Sequence, residues 1–158
     1  MGTVRPGPSG AAAKRPENSG PPVTESFSAR PLILVVDDEP VVLAYIANSF
    51  RDGGYDFLLA EDGERGLALF VTNPGKIALV LSDVSMPRSS GPQMVREIRK
   101  SDENARVLFM TGFDPEQILP REFRAYPTLR KPFTPAQLYE AIEACVGGES
   151  AASAAEQP

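Results

Sequence analysis

Five short apolar runs, separated by stretches long enough for a helix and by no hairpin signal, constrain this chain more than any other feature. The first, residues 32–36, is continuous and rich in β-branched residues, as a strand buried on both faces must be. Runs at 57–60, 78–81 and 107–110 follow, and a last one leads into Lys131. The segments between them carry helix punctuation. Asp37-Asp38-Glu39-Pro40 opens a helix through about Phe50 with Val42, Leu43, Ile46 and Phe50 inward, and Asp52-Gly53-Gly54 closes it. Asp62 begins a short helix carrying Leu67, Leu69 and Phe70, and Pro92 opens another with Met94, Val95 and Ile98 inward. Asp114-Pro115, with Gln117 three residues on, and Thr134-Pro135-Ala136-Gln137 both read as capped helix starts. The final helix places Leu138, Ala141, Ile142, Cys145 and Val146 on one stripe, which makes Cys145 a core residue. This βαβαβαβαβα order predicts an α/β fold, a doubly wound five-stranded parallel sheet with helices on both faces.

Composition sets the boundaries. Residues 1–30 hold five Pro, four Gly and four Ser without an apolar period, and residues 148–158 follow Gly147 without a core pattern. Both are expected to be disordered tails around one folded domain at 31–147. A net charge of −5 with no local Lys/Arg cluster argues against direct nucleic acid binding. A single cysteine and the lack of a membrane-length apolar run predict a cytoplasmic chain that does not enter the membrane. The chain has no histidine, which removes the commonest general base and leaves only oxygen donors for a metal ion.

In an open parallel sheet, chemistry collects at the carboxyl ends of the strands. The run at 78–81 stops at Ser82-Asp83, and Met86-Pro87 and Gly91-Pro92 keep the chain in a loop before the next helix. Asp83 therefore stands at a strand-to-loop corner. Asp37-Asp38 and Thr111 end the first and fourth strands, and Lys131 precedes the last helix. Each has an ordinary role available, Asp38 as a helix cap, Thr111 as a strand-end cap and Lys131 as a solvated cation. Their convergence on one edge favours a pocket. Three carboxylates repel one another unless a cation joins them, and hard oxygens at this density suit Mg²⁺. A carboxylate beside a metal-polarised phosphate donor is set for in-line phosphoryl transfer, giving an aspartyl phosphate, with Lys131 neutralising phosphoryl charge and Thr111 donating a hydrogen bond.

These motifs together resemble the receiver domain of the two-component response regulator family. The matching residues are Asp37-Asp38 after an apolar strand, Asp83 followed by Met86-Pro87 and Gly91, Thr111, and Lys131-Pro132-Phe133, over about residues 31–147. The resemblance implies a flavodoxin-like (βα)5 fold and a phosphoacceptor rather than an enzyme. It implies Asp83 as the phosphoacceptor, with Thr111 and Lys131 holding the phosphoryl group. Mg²⁺ would be held by Asp38, Asp83 and the backbone carbonyl of Ser85, with Asp37 acting through a metal-bound water. The phosphate donor would be a phosphohistidine on a histidine kinase or histidine phosphotransfer protein, the output a downstream protein target, and the chain either stand-alone or part of a hybrid histidine kinase. The chain departs from the family at Thr128, where receivers usually carry Tyr or Phe. Tyr126, two residues earlier on the same strand face, lies about 6.6 Å further from the pocket. Two rivals compete with this reading. A Mg²⁺-dependent phosphohydrolase with an Asp nucleophile would want an acid where Ser85 stands, and a phosphorylation-independent interaction module would not need Asp83, Thr111 and Lys131 intact.

Overall fold

A computed structural model describes residues 30–147, and the two expected tails, at 1–30 and 148–158, lie almost wholly outside them. Strand β1 (Leu32–Val36) leads to helix α1 (Pro40–Arg51), β2 (Asp56–Ala60) to α2 (Gly63–Val71), and β3 (Ile77–Asp83) to α3 (Gly91–Ser101). Strand β4 (Val107–Thr111) is followed by a single turn, α4 (Pro115–Ile118), and a 3-10 turn at Arg121–Phe123. Strand β5 (Thr128–Arg130) and helix α5 (Pro135–Val146) complete the domain. The sheet order is β2-β1-β3-β4-β5, and every pairing is parallel.

Period-two alternation along the central strands divides the interior into two layers. Ile33, Val35, Leu79, Leu81, Leu108 and Met110 face α1 and α5, where they meet Ile46, Phe50, Leu138 and Ile142. Leu34, Val36, Val80, Val107 and Phe109 face the opposite way, against Phe70 of α2 and Met94, Val95 and Ile98 of α3. Both faces are covered, as the uninterrupted apolar strands require. No helix among the described residues is long and apolar enough to cross a membrane.

Several local rules act as the residue pattern anticipates. Thr134 accepts from the Gln137 amide in a capping box, and Asp62 caps α2 by accepting from Arg65. Ser90 and Gln93 form a second capping box on α3, one residue before the start that Pro92 implies. Helix α4 is short, as Pro120 implies: Asp114 caps it, Pro120 stops it after four residues, and Leu119 and Phe123 on either side of that proline are buried. Strand β5 begins only at Thr128, so Tyr126 is not on it. Its ring packs with Phe109 and Phe123, at centroid distances of 5.7 and 5.1 Å, beneath the Arg99 guanidinium.

The β3–α3 loop folds back tightly on the strand it leaves. The Gly91 amide donates to the Val84 carbonyl at 2.9 Å, and a Cβ at Gly91 would collide with the Asp83 carbonyl oxygen and lie 2.9 Å from Ser82 Oγ. That oxygen is already held by the buried Ser82 hydroxyl, which donates to it at 2.8 Å. Gly91→Ala is therefore expected to destabilise the domain by about 1–3 kcal/mol, the range for overpacking a close-packed site, measured by urea denaturation.

Candidate functional site

The parallel register brings the strand ends to one edge. Val36 is level with Ser82, Asp83 with Met110, and Thr111 with Arg130, so the next polar residues of β1, β3, β4 and β5 converge there. Asp37 continues the side of β1 that carries Ile33 and Val35, and Asp83 the side of β3 that carries Leu79 and Leu81. All six residues expected at the site stand at this edge. Asp38, Asp83, Ser85, Thr111 and Lys131, with Glu39, Gly112 and Phe113, line a cavity of about 290 Å³, and Asp37 lies fully buried beside it.

One ammonium organises the charges. Lys131 Nζ lies 2.8 Å from Asp37 Oδ2, 3.1 Å from Asp83 Oδ1 and 3.6 Å from Glu39 Oε1. The Glu39 amide donates to the other Asp37 oxygen at 2.9 Å, so Asp37 is satisfied on both sides. The Asp37–Lys131 and Asp83–Lys131 pairs hold Lys131 as an ammonium, above its ordinary range, against the effect of its own burial. Burial, and then the charges of Asp37 and Asp38, push the Asp83 carboxyl up to about 6 despite Lys131. Burial raises Asp37 as well.

Of the ordinary roles weighed for these residues, Thr111 keeps its own as a strand-end cap, while Asp38 and Lys131 do not. Glu39, not Asp38, is the N-cap of α1, and it makes no side-chain cap bond. Thr111 is buried, and its Oγ1 accepts from the Phe113 amide at 2.9 Å, which leaves the hydroxyl hydrogen to donate toward the cavity. Lys131 is ion-paired rather than solvated. Glu39 and Phe113 were not singled out by the sequence pattern. Glu39 reads there as part of a helix start, and Phe113, 62% exposed beside the pocket, has no period to mark it.

Carboxylate oxygens of Asp37, Asp38 and Asp83 lie within 4.8 Å of one another. Three acids against one ammonium leave surplus negative charge, which adds to burial in raising Asp83. An all-oxygen donor set with this charge fits a hard divalent cation such as Mg²⁺. Thr128, at the position of the expected aromatic, is half-buried, and its hydroxyl donates to the Tyr126 carbonyl at 3.2 Å.

The family model for the response regulator receiver domain matches residues 33–143. The transcriptional regulatory protein GlrR of Escherichia coli (strain K12) is 33% identical over 113 residues, covering 70% of this chain. The chain spans only 25% of the length of GlrR. Among solved structures, a response regulator receiver domain protein from Clostridium thermocellum superposes with a TM-score of 0.68 at 33% identity, covering 76% of this chain and 97% of that one. The receiver domain of the hybrid histidine kinase CckA gives a TM-score of 0.61 at 33% identity, covering 71% and 95%.

With divalent cations removed, a folded-state value near 6 against an ordinary 3.8 fixes the sign of the Asp83 contribution. Its protonated form favours the folded state, so that stability is fully present below the ordinary value and is lost as pH rises through about 6. Relative to Asp83→Asn, the parent chain is expected to lose about 1–2 kcal/mol between about pH 4 and pH 7, allowing for water at the pocket mouth. Urea denaturation of both proteins across that range measures it.

Proposed function

Since the chain belongs to the response regulator receiver domain family, we propose that Asp83 is its phosphoacceptor and that residues 31–147 are the unit that works in phosphorelay signalling. The observation that carries this reading is the Asp83 carboxylate, held at a strand end in an open cavity and 3.1 Å from the Lys131 ammonium. A carboxyl near 6 is ionised at neutral pH and is therefore nucleophilic.

In the proposed step an Asp83 oxygen attacks phosphorus in line with the breaking P–N bond of a phosphohistidine. The P–O bond forms, the P–N electron pair returns to the imidazole, and that ring takes up a proton from solvent. Lys131 offsets the charge on the phosphoryl oxygens, and the Thr111 hydroxyl donates to one of them. Asp38, Asp83 and the Ser85 carbonyl would hold Mg²⁺, with Asp37 reaching it through water. The ion supplies charge neutralisation at the phosphoryl group. None of the 158 residues is histidine, so the donor histidine lies outside them, on a histidine kinase or a histidine phosphotransfer protein.

This is acceptance of a phosphoryl group, not turnover of an external substrate. The net charge of −5 supports a protein as the downstream target rather than a nucleic acid, and the lone cysteine accords with a reducing, cytoplasmic setting. Phosphorylation adds about one charge or less, so geometry must carry the output. Drawing Thr111 and Lys131 toward the phosphoryl oxygens moves the 112–114 loop and the one-turn α4, with no aromatic rotor needed at Thr128.

Incubation with Mg²⁺ and acetyl phosphate, followed by intact-mass measurement, tests the assignment. The parent chain should gain a single phosphoryl group and Asp83→Asn none, with its fold retained. Equal labelling of the variant would remove Asp83 from the role, and multiple turnover of an unrelated phosphoester would favour a hydrolase.

A further inference from the structure

Lys131 is the pivot of the pocket, yet its backbone has little to hold it. Strand β5 is three residues long and stands at the sheet edge, so Lys131 has a sheet neighbour on one side only, where its amide donates to the Thr111 carbonyl at 2.9 Å. The next residue, Pro132, has no amide hydrogen to give. On the open side the tie comes from α1. The Tyr45 hydroxyl donates to the Phe133 carbonyl at 2.9 Å, and the two rings pack at a centroid distance of 6.0 Å.

This bond closes a ring. Helix α1 starts three residues after Asp37, and Tyr45 lies on its second turn. The Lys131–Asp37 pair at 2.8 Å, the longer Lys131–Glu39 pair at 3.6 Å and the Tyr45–Phe133 bond at 2.9 Å are thus three polar rungs across one seam, between the start of α1 and the loop that enters α5. Phe133 is buried and α5 begins at the Thr134 cap, so displacement of the loop is resisted beyond Phe133 as well. Glu39 reaches the ammonium itself, whereas the Tyr45 hydroxyl bonds the loop backbone, two residues beyond Lys131. Tyr45 is 38% exposed, so burial alone does not demand an aromatic there.

We infer that Tyr45 is a positioning residue for Lys131, setting through the Phe133 carbonyl the place from which the ammonium meets the incoming phosphoryl group. The inference rests on the proposed phosphoacceptor role of Asp83. Tyr45→Phe is the informative variant, because it keeps the ring on Phe133 and removes only the hydroxyl.

Single-turnover labelling of the full chain by acetyl phosphate with Mg²⁺ is expected to slow about fivefold in Tyr45→Phe, the scale of one lost neutral hydrogen bond, with the half-saturating acetyl phosphate concentration unchanged. In a Lys131→Ala background, followed for longer, the same substitution should have no effect, since the group it positions is gone. Without any phosphate donor, the ¹H–¹⁵N resonance of the Lys131 ammonium should shift in Tyr45→Phe. A parental rate in Tyr45→Phe, or the same fivefold loss in both backgrounds, would overturn the inference. Should the parent chain take no label at all, the phosphoacceptor reading fails separately, and an unmoved Lys131 ammonium resonance would still overturn the placement by Tyr45.

Discussion

A single half-buried ammonium shared between two carboxylates is the interaction on which the rest of this structure depends. Lys131 meets Asp37 at 2.8 Å and Asp83 at 3.1 Å, in a place where water is scarce and an unpaired charge is costly. The compensation is incomplete: burial first, and then the charges of Asp37 and Asp38, leave the Asp83 carboxyl pushed up to about 6. A pocket in this state holds the Asp83 carboxylate rigidly and favours any cation that rebalances the charge. Excess negative charge and preorganisation are here two aspects of one arrangement.

The sheet makes the arrangement possible. Parallel strands end in step, so the residues that follow Val36, Ser82 and Arg130 arrive at one edge from positions far apart in the chain. Apolar layers on both faces fix that edge, and the backbone of Asp83 is held from two further sides, by the Ser82 hydroxyl and by the close passage of Gly91. The acidic side of the pocket is thus rigidly built. The Lys131 side hangs on a three-residue edge strand, and Tyr45 from α1 supplies its missing support. Beyond it, the one-turn α4 follows the Thr111 end of β4, and the Phe109, Phe123 and Tyr126 rings pack together.

Much of this was legible in the residues. Continuous apolar runs gave the four longer strands, and polar residues at their ends gave Asp37, Asp38, Asp83 and Thr111, because a parallel sheet converts strand ends into neighbours. What stayed hidden depends on distance in space. That Lys131 bridges Asp37 and Asp83 is a contact across 94 and 48 positions, and no local pattern encodes it. Glu39 was absorbed into a helix-start signature, and the bond from Tyr45 to Phe133 joins residues 88 apart. The place of Tyr126 is not legible in the residues because β5 is shorter than the sequence implies: Pro127 keeps the preceding residues out of the ladder, and the aromatic cluster captures the ring.

If surplus negative charge at the strand ends is what prepares this pocket, a divalent cation must stabilise the folded chain through those carboxylates. Chemical denaturation over a Mg²⁺ titration measures this directly. The account predicts an unfolding free energy that rises with Mg²⁺, by about 2.7 kcal/mol at 100 times the dissociation constant, and a much smaller rise in Asp38→Asn. A denaturation curve indifferent to saturating Mg²⁺, or an equal rise in Asp38→Asn, would contradict it.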